Sequence, residues 1–342
     1  MILRPKPSPR HDATLGGAPS NDAPMATVPA WLRRAIPDAQ SLASKDIEDV
    51  ALTAGAAIGA LDAVVRRQER WAGAWRQRLA LSAAAATAKQ AGRVEDESSL
   101  RDAVLLTRPG DNVGPAGLLL LAWRRLAAWP VENLLTEGNL AAASEEFGHA
   151  RNDKAVSDLT DELGPLPAAE GVVEMLTGAF AAAERRGFGR NLGSWLADAM
   201  LAKKLGWSHA VPLLGAQPGS AGSTRGMRPK TTSLTQRDQV PGRETVQGLL
   251  VAQSRAALRA IDLSAELGRR AERLIAVAPK LRAKGADLVV DQLLNEDALV
   301  ASRGDKKTGM SDRGLRRLFD KLVDLGAVRE LSGRATFRIY GL

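Results

Sequence analysis

The side chains that most often carry catalysis or bind metals are scarce in this chain. Cysteine is absent, which excludes thiolate metal sites, iron–sulfur clusters, disulfides and a cysteine nucleophile. Histidine occurs three times, at His11, His149 and His209, with a spacing that fits no zinc-binding helix motif. We therefore expect neither a metal site nor a bound cofactor.

Two glycine-containing segments imitate phosphate-binding loops without meeting their requirements. Residues 304–311, GDKKTGMS, have the spacing of a P-loop but carry Met310 where a lysine must contact phosphate. Gly187, Gly189 and Gly193 have one residue too many for a dinucleotide fingerprint. Neither segment follows a predicted strand, so we interpret both as turns.

Charged residues embedded in apolar helical segments, or beside them, are the remaining candidates for chemistry. One hypothesis places them around a cleft of the helical region that binds a polar ligand or performs acid–base catalysis. The favoured hypothesis is that they form ion pairs that fix the helix register, or face water. The set comprises Asp62, Asp102, Arg108, Asp111, Arg124 and Asp198.

The most informative pattern lies in residues 284–342. A helix over 286–295 is predicted to bury Leu288, Val289, Leu293 and Leu294. A second helix is predicted to begin after the N-cap residue Ser311 and to end at Gly326. One face of this second helix carries Leu315, Leu318, Phe319, Leu322 and Leu325, and the other carries Arg313, Arg316, Arg317, Asp320 and Lys321.

A β-hairpin is predicted after this helix, because the hydrophobic period changes to two. Its strands are 328–331 and 335–340, joined by the turn 332–334. A further short helix is weakly indicated near 297–302. Helix, turn, helix and hairpin together predict a winged helix, in which one helix enters the DNA major groove. The predicted DNA contacts are Arg313, Arg316, Arg317, Lys321, Arg334 and Arg338.

The elements that would position these residues are mostly helices. The fold class is predicted to be mainly α, with an all-α domain over 30–215 after a disordered tail at 1–29. This domain includes a helix predicted from Pro167 to Arg185. A basic flexible linker at 216–244 and a long helix at 245–279 lead to the winged-helix domain at 280–342. The seven tryptophans, all within 30–215, are interpreted as core packing rather than as a stacking platform for bases.

The charge distribution favours an acidic partner. Residues 1–215 hold 24 basic and 25 acidic side chains, whereas residues 216–342 hold 23 and 14, so the whole excess of +8 comes from the C-terminal part. The longest apolar run, 114–123, is too short to span a membrane, and residues 1–29 lack the apolar core of a secretory signal. We expect a cytoplasmic protein that does not bind a membrane.

Several segments carry a family resemblance. They are AGAAIGALDAVV (54–65), WAGAWRQRLAL (71–81), LRDAVLLTRPGDNVGPAGLLLLAWRRLA (100–127), SWLADAMLAKKLGW (194–207) and 310–342. On these segments the chain resembles the bacterial domain-of-unknown-function family 1403, which occurs often on plasmids. The resemblance covers most of residues 30–342. It implies no particular activity, because none is established for the family.

The last residues also resemble a second group of proteins. The pattern LVDLGAVRELSGRATFRIY (322–340) is similar to the winged helix at the end of Fic-type proteins. The Fic catalytic motif, a histidine followed by Pro-Phe and a Gly-Asn-Gly loop, is absent from this chain. The resemblance therefore implies a winged helix but no AMP transfer.

These observations lead to one main functional prediction and two alternatives. The chain is predicted to bind double-stranded DNA. Its predicted role is that of a transcriptional regulator or of a factor of a plasmid or other mobile element. A homodimer is a further expectation. The first alternative is a winged helix that docks a polypeptide partner. The second is an enzyme or ligand-binding protein that uses the charged residues of the helical domain.

Overall fold

The computed structural model describes residues 28–36, 46–108, 110–169, 171–217, 242–301 and 309–342. Most of the predicted tail at 1–29 and of the linker at 216–244 lies outside these residues, as does His11. The helices are α1 Ala30–Ala35, α2 Ile47–Arg66, α3 Ala72–Gln90, α4 Glu97–Leu105, α5 Gly114–Ala128, α6 Val131–Leu134, α7 Glu137–Glu146, α8 Asp153–Leu163, α9 Leu166–Ala169, α10 Val172–Arg185, α11 Gly189–Leu205, α12 Arg243–Val277, α13 Ala286–Asn295 and α14 Asp312–Asp324.

Three pairs of helices form the frame of the helical region: α2 with α12, α3 with α5, and α10 with α11. Alanines that are fully shielded from solvent, such as Ala80 and Ala84 of α3, let neighbouring backbones approach closely. Helix α11 is buried from Leu192 to Ala202, so it forms the centre of this region. It ends at Gly206, whose φ of 66° is the left-handed conformation that glycine adopts without steric cost.

Four of the seven tryptophans are core residues as predicted, whereas Trp31 and Trp129 are 49% and 42% exposed. Trp75, Trp123, Trp195 and Trp207 are at most 3% exposed. Their indole N–H groups all find acceptors, for example the Ala260 carbonyl for Trp75 at 2.8 Å. Burial of these rings is therefore not opposed by an unpaired polar atom.

The C-terminal module, residues 286–342, combines two helices with a small sheet. Strands β1 Leu299–Val300, β2 Arg329–Glu330 and β3 Ile339–Gly341 form an antiparallel sheet in the order β1-β3-β2. Phe319 of α14 stacks on Tyr340 of β3, with ring centroids 4.5 Å apart. The buried apolar residues of α13 and α14, together with Tyr340 of β3, belong to the same hydrophobic cluster as the core of the helical region. One apolar interior therefore continues from the helical region into the module.

The structure corrects some local predictions. The helix predicted over 167–185 is two helices, α9 and α10, because the chain turns near Gly171, which begins α10. Residues 299–300 are a strand and not part of a helix, because they pair with β3. The strands of the hairpin are shorter than predicted, so its connection spans 331–338. The predicted turn at 303–309 lies almost wholly outside the described residues.

The predicted burial of Leu288 is wrong, and Leu325, predicted on the apolar face of the second helix, is exposed. Leu288 is 48% exposed and Leu325 is 44% exposed. Leu288 stands one residue away from the buried stripe of α13, and Leu325 follows the last residue of α14. Their positions therefore direct them away from the core that the other leucines reach.

No helix among the described residues combines the length and apolarity that crossing a membrane requires.

Candidate nucleic-acid interface

Helix α14 has one buried and one charged face, as its sequence predicts. Ser311 begins it in extended backbone geometry, and its hydroxyl accepts a hydrogen bond from the Gly314 amide at 3.3 Å. The helix is followed by Gly326 with a φ of 62°. The core-facing side chains are Leu315, Leu318, Phe319 and Leu322, each at most 4% exposed.

The opposite face of α14 presents cations. The side chains of Arg313, Arg316, Arg317 and Lys321 lie on exposed residues. Within the described part of the chain, none of these four forms an ion pair. Asp320 lies among them and pairs with Arg338 of the hairpin at 3.6 Å. The face is therefore positive, with its charge only partly offset.

The hairpin connection is organised by Glu330. Its carboxylate accepts hydrogen bonds from the Ser332 amide at 2.8 Å, from the Ser332 hydroxyl and from the Gly333 amide at 2.9 Å. Burial alone would raise the pKa of Glu330, but these donors outweigh it and hold the pKa below its ordinary value. Phe337, near the end of the connection, is 61% exposed and has a φ of 55°.

The predicted contact Arg334 is engaged within the chain. Its guanidinium pairs with the carboxylate of Asp102 on α4. Arg334 is predicted as a DNA contact and Asp102 as a residue of the ligand cleft, yet the two side chains form an ion pair with each other. The pairing ties the hairpin to the helical region.

A buried ionic cluster joins the module to the helical region more firmly. Asp297, between α13 and β1, has a fully buried carboxylate that accepts hydrogen bonds from Arg78 of α3 and from Arg101 of α4, the latter at 2.6 Å. Burial opposes ionisation of Asp297, but the two guanidinium groups prevail and hold its pKa below the ordinary value. The Nε of Arg124 on α5 is also buried, and it has no acceptor among the described residues. Burial lowers the pKa of Arg124, and the negative charge of Asp297 opposes part of this lowering.

The other residues of the predicted cleft have different surroundings. Asp62 accepts hydrogen bonds from Arg66 and from the Trp207 indole, both at 2.7 Å. Asp198 is buried and accepts hydrogen bonds from the amides of Leu213 and Leu214. Arg108 and Asp111 lie on an exposed loop. The carboxylates of Asp62, Asp102 and Asp198 have separate partners, so the structure does not bring them together in one cleft.

A cavity of about 280 Å³ separates α14 from the hairpin connection. Arg316 and Arg338 stand at its wall together with the exposed Phe337. The sequence did not single out Phe337, because an aromatic residue in a strand-like pattern is ordinarily a core residue. The complete wall is formed by Ala301, Arg316, Asp320, Ala335, Thr336, Phe337, Arg338 and Tyr340.

The profile of a protein family described as "protein of unknown function (DUF1403)" matches residues 18–342, and the chain belongs to this family. Comparisons with curated proteins and with solved structures find no match. The similarity to the end of Fic-type proteins receives no support from these comparisons.

Proposed function

We propose that this protein binds duplex DNA through its C-terminal module. The observation that carries the proposal is the exposed cationic face of α14, whose four cations have no ion-pair partner among the described residues. Cations without internal partners are available for phosphates, and release of the counterions condensed on DNA favours such contacts. The leucines and Phe319 of α14 pack against the core, so the opposite, exposed face of the helix can enter the major groove of DNA.

The order of elements supports a winged helix. The succession α13, β1, α14, β2, β3, with β3 central in the sheet, matches a winged helix except for the helix that precedes the recognition helix in such modules; residues 302–308, between β1 and α14, lie outside the described residues. In that architecture α14 is the recognition helix and 331–338 is the wing. Arg316 and Arg317 would contact base edges or phosphates in the major groove, and Arg338 would contact the backbone from the wing.

The two arginines of the wing, Arg334 and Arg338, differ in how easily they can leave their ion pairs to contact DNA. Arg338 shares an exposed pair with Asp320, which costs little to break. Arg334 is held by Asp102, whose side chain is 18% exposed. Arg338 is therefore the more available wing contact.

The biological role that we propose with DNA binding is that of a transcriptional regulator or a factor of a plasmid or other mobile element.

The test is binding of the full chain to a fluorescent duplex of mixed sequence across a salt series. If three or four phosphates are contacted, the logarithm of the association constant falls with the logarithm of salt with a slope of about −3. The double variant R316A/R317A should make this slope less negative by about 2 and weaken binding at every salt concentration. Arg34→Ala, which removes an exposed arginine of α1, is the matched control and should leave binding unchanged.

Absence of binding at low salt, or equal binding by R316A/R317A and the control, would remove the proposal. The alternative with a specific observation in its favour is docking of a polypeptide in the cavity beside Phe337. That alternative predicts that Phe337→Ala abolishes co-purification of a stoichiometric partner and that DNA binding is absent. An enzyme built on Asp62, Asp102 and Asp198 gains no such observation.

A further inference from the structure

A second cavity, of about 190 Å³, lies on the helical region, and none of the predicted site residues lines it. It opens where the end of α2 and the start of α3 meet α12, the end of α13 and residues 208–209. Its wall includes the guanidinium of Arg76, the hydroxyl of Ser208, the imidazole of His209 and the indole of Trp71. The wall therefore combines cationic, hydroxyl and aromatic groups.

Arg76 is the most informative of these groups. Its Nε donates a hydrogen bond to the Ala127 carbonyl at 2.9 Å, and it forms no ion pair with any described residue. Burial without a carboxylate partner lowers the pKa of Arg76 to about 10. A half-buried guanidinium at a cavity wall, compensated only by a carbonyl, is suited to an incoming anion.

Neighbouring side chains add hydrogen-bonding groups to this side of the cavity. His209 is half-buried and exchanges a hydrogen bond between its Nδ1 and the Ser208 hydroxyl at 3.1 Å. Burial lowers the pKa of His209, and Arg76 lowers it further while Glu132 opposes this. Within the cavity wall Glu69 is the one carboxylate, and Arg70, at its edge, pairs outward with Asp291 at 3.3 Å.

Two tryptophans supply the flat apolar part of the wall. The Trp75 indole is fixed by a hydrogen bond to the Ala260 carbonyl. The Trp71 indole N–H is buried and has no acceptor among the described residues. Trp71 packs closely on Gly268 of α12, where an added Cβ would lie 2.9 Å from the ring. The rings are therefore held in place before any ligand arrives.

We propose that this cavity binds a small organic carboxylate that carries a flat apolar group. The carboxylate is bound by Arg76 with Ser208 and His209, and the apolar group packs on Trp71. The volume limits the ligand to a small one, since pockets for drug-sized molecules begin at about 300 Å³. This site does not depend on whether the protein binds DNA.

Benzoate is the probe, titrated into the full chain and followed by calorimetry and ligand-observed NMR. Benzamide, which has nearly the same shape but no charge, is the comparison on the unaltered protein. We expect benzoate to bind at least about tenfold more tightly than benzamide, the ratio that one charge-assisted hydrogen bond provides. Equal binding of the two, or no binding of benzoate at millimolar concentration, would overturn the proposal.

Variants locate the site. Arg76→Gln should weaken benzoate binding at least about tenfold. Arg259→Gln is the matched control, because Arg259 also donates to a backbone carbonyl, that of Ala216, but lies outside the cavity. Ser264→Leu, which fills the cavity from α12, should also abolish binding, and it decides the question if Arg76→Gln does not fold. Unchanged affinity in the folded variants would place the bound benzoate elsewhere and refute the assignment.

Discussion

Replacement of Asp297 by asparagine should destabilise this protein more than any exposed charge replacement. The substitution keeps the volume of the side chain but removes the negative charge from the buried junction between module and helical region. Arg101, with a side chain 9% exposed, and Arg78, at 16%, would then face each other without their counterion. The buried Nε of Arg124 already lacks an acceptor among the described residues.

The expected magnitude follows from this burial. Removal of one partner of a buried ion pair costs about 3–5 kcal/mol, because the remaining charge is left uncompensated. The asparagine oxygen can still accept one hydrogen bond, so we expect a loss of about 3 kcal/mol in the free energy of unfolding. The matched control is Asp291→Asn, since the pair of Asp291 with Arg70 is 60% exposed on both sides. Its loss should be less than about 1 kcal/mol.

The assay is urea unfolding of both variants and of the parent protein, followed by tryptophan fluorescence and by circular dichroism. Native-state hydrogen exchange of α14 adds a local readout, because a weakened junction should raise exchange in the module before it does so in α11. Equal losses of stability in the two variants, or a loss below about 1 kcal/mol for Asp297→Asn, would refute the reasoning. It would mean that water or neighbouring dipoles compensate the two arginines.

Two further predictions concern the carboxyl groups of Asp102 and Asp198. Asp102→Asn removes the ion-pair partner of Arg334, so Arg334 becomes available to a phosphate. The variant should bind DNA more tightly, and the slope of affinity against salt should become more negative by about 0.9, the value for one phosphate contact. A weaker or unchanged affinity would show that the pair instead holds the wing in place. Burial of Asp198 prevails over the amides of Leu213 and Leu214 and raises its pKa to about 8. The folded chain therefore keeps a proton that the unfolded chain releases, so the free energy of unfolding falls as pH rises from about 4 to about 8. Asp198→Asn should reduce this fall by up to about 1.4 kcal/mol per pH unit in urea titrations at several pH values, and parallel profiles would contradict the raised pKa.

The local features of the module could be predicted from the sequence. Ser311 caps α14, Gly326 follows it in the left-handed conformation, and the apolar and basic faces of α14 lie where a period of 3.6 residues places them. These features depend on neighbours within a few residues, so spacing and residue type suffice. The mainly α class follows from the same local patterns repeated along the chain.

Contacts between distant parts of the chain could not be predicted in this way. Arg334 and Asp102 are separated by 232 residues and were assigned to different sites, although they pair with each other. Strand β1 has two residues, too few for any periodicity, and exists because β3 lies beside it.

The sequence by itself determined which helix is amphipathic, where it begins and ends, and that its outer face is basic. Only the tertiary structure decided which charges remain available, since an ion pair depends on what folding brings within reach. Among the described residues it left the cations of α14 without ion-pair partners, engaged Arg334 and placed Asp297 between two arginines. It also assembled the cavity around Arg76 from five separate segments. The physical reason is that helix geometry acts over a few residues, whereas burial and charge pairing act through space.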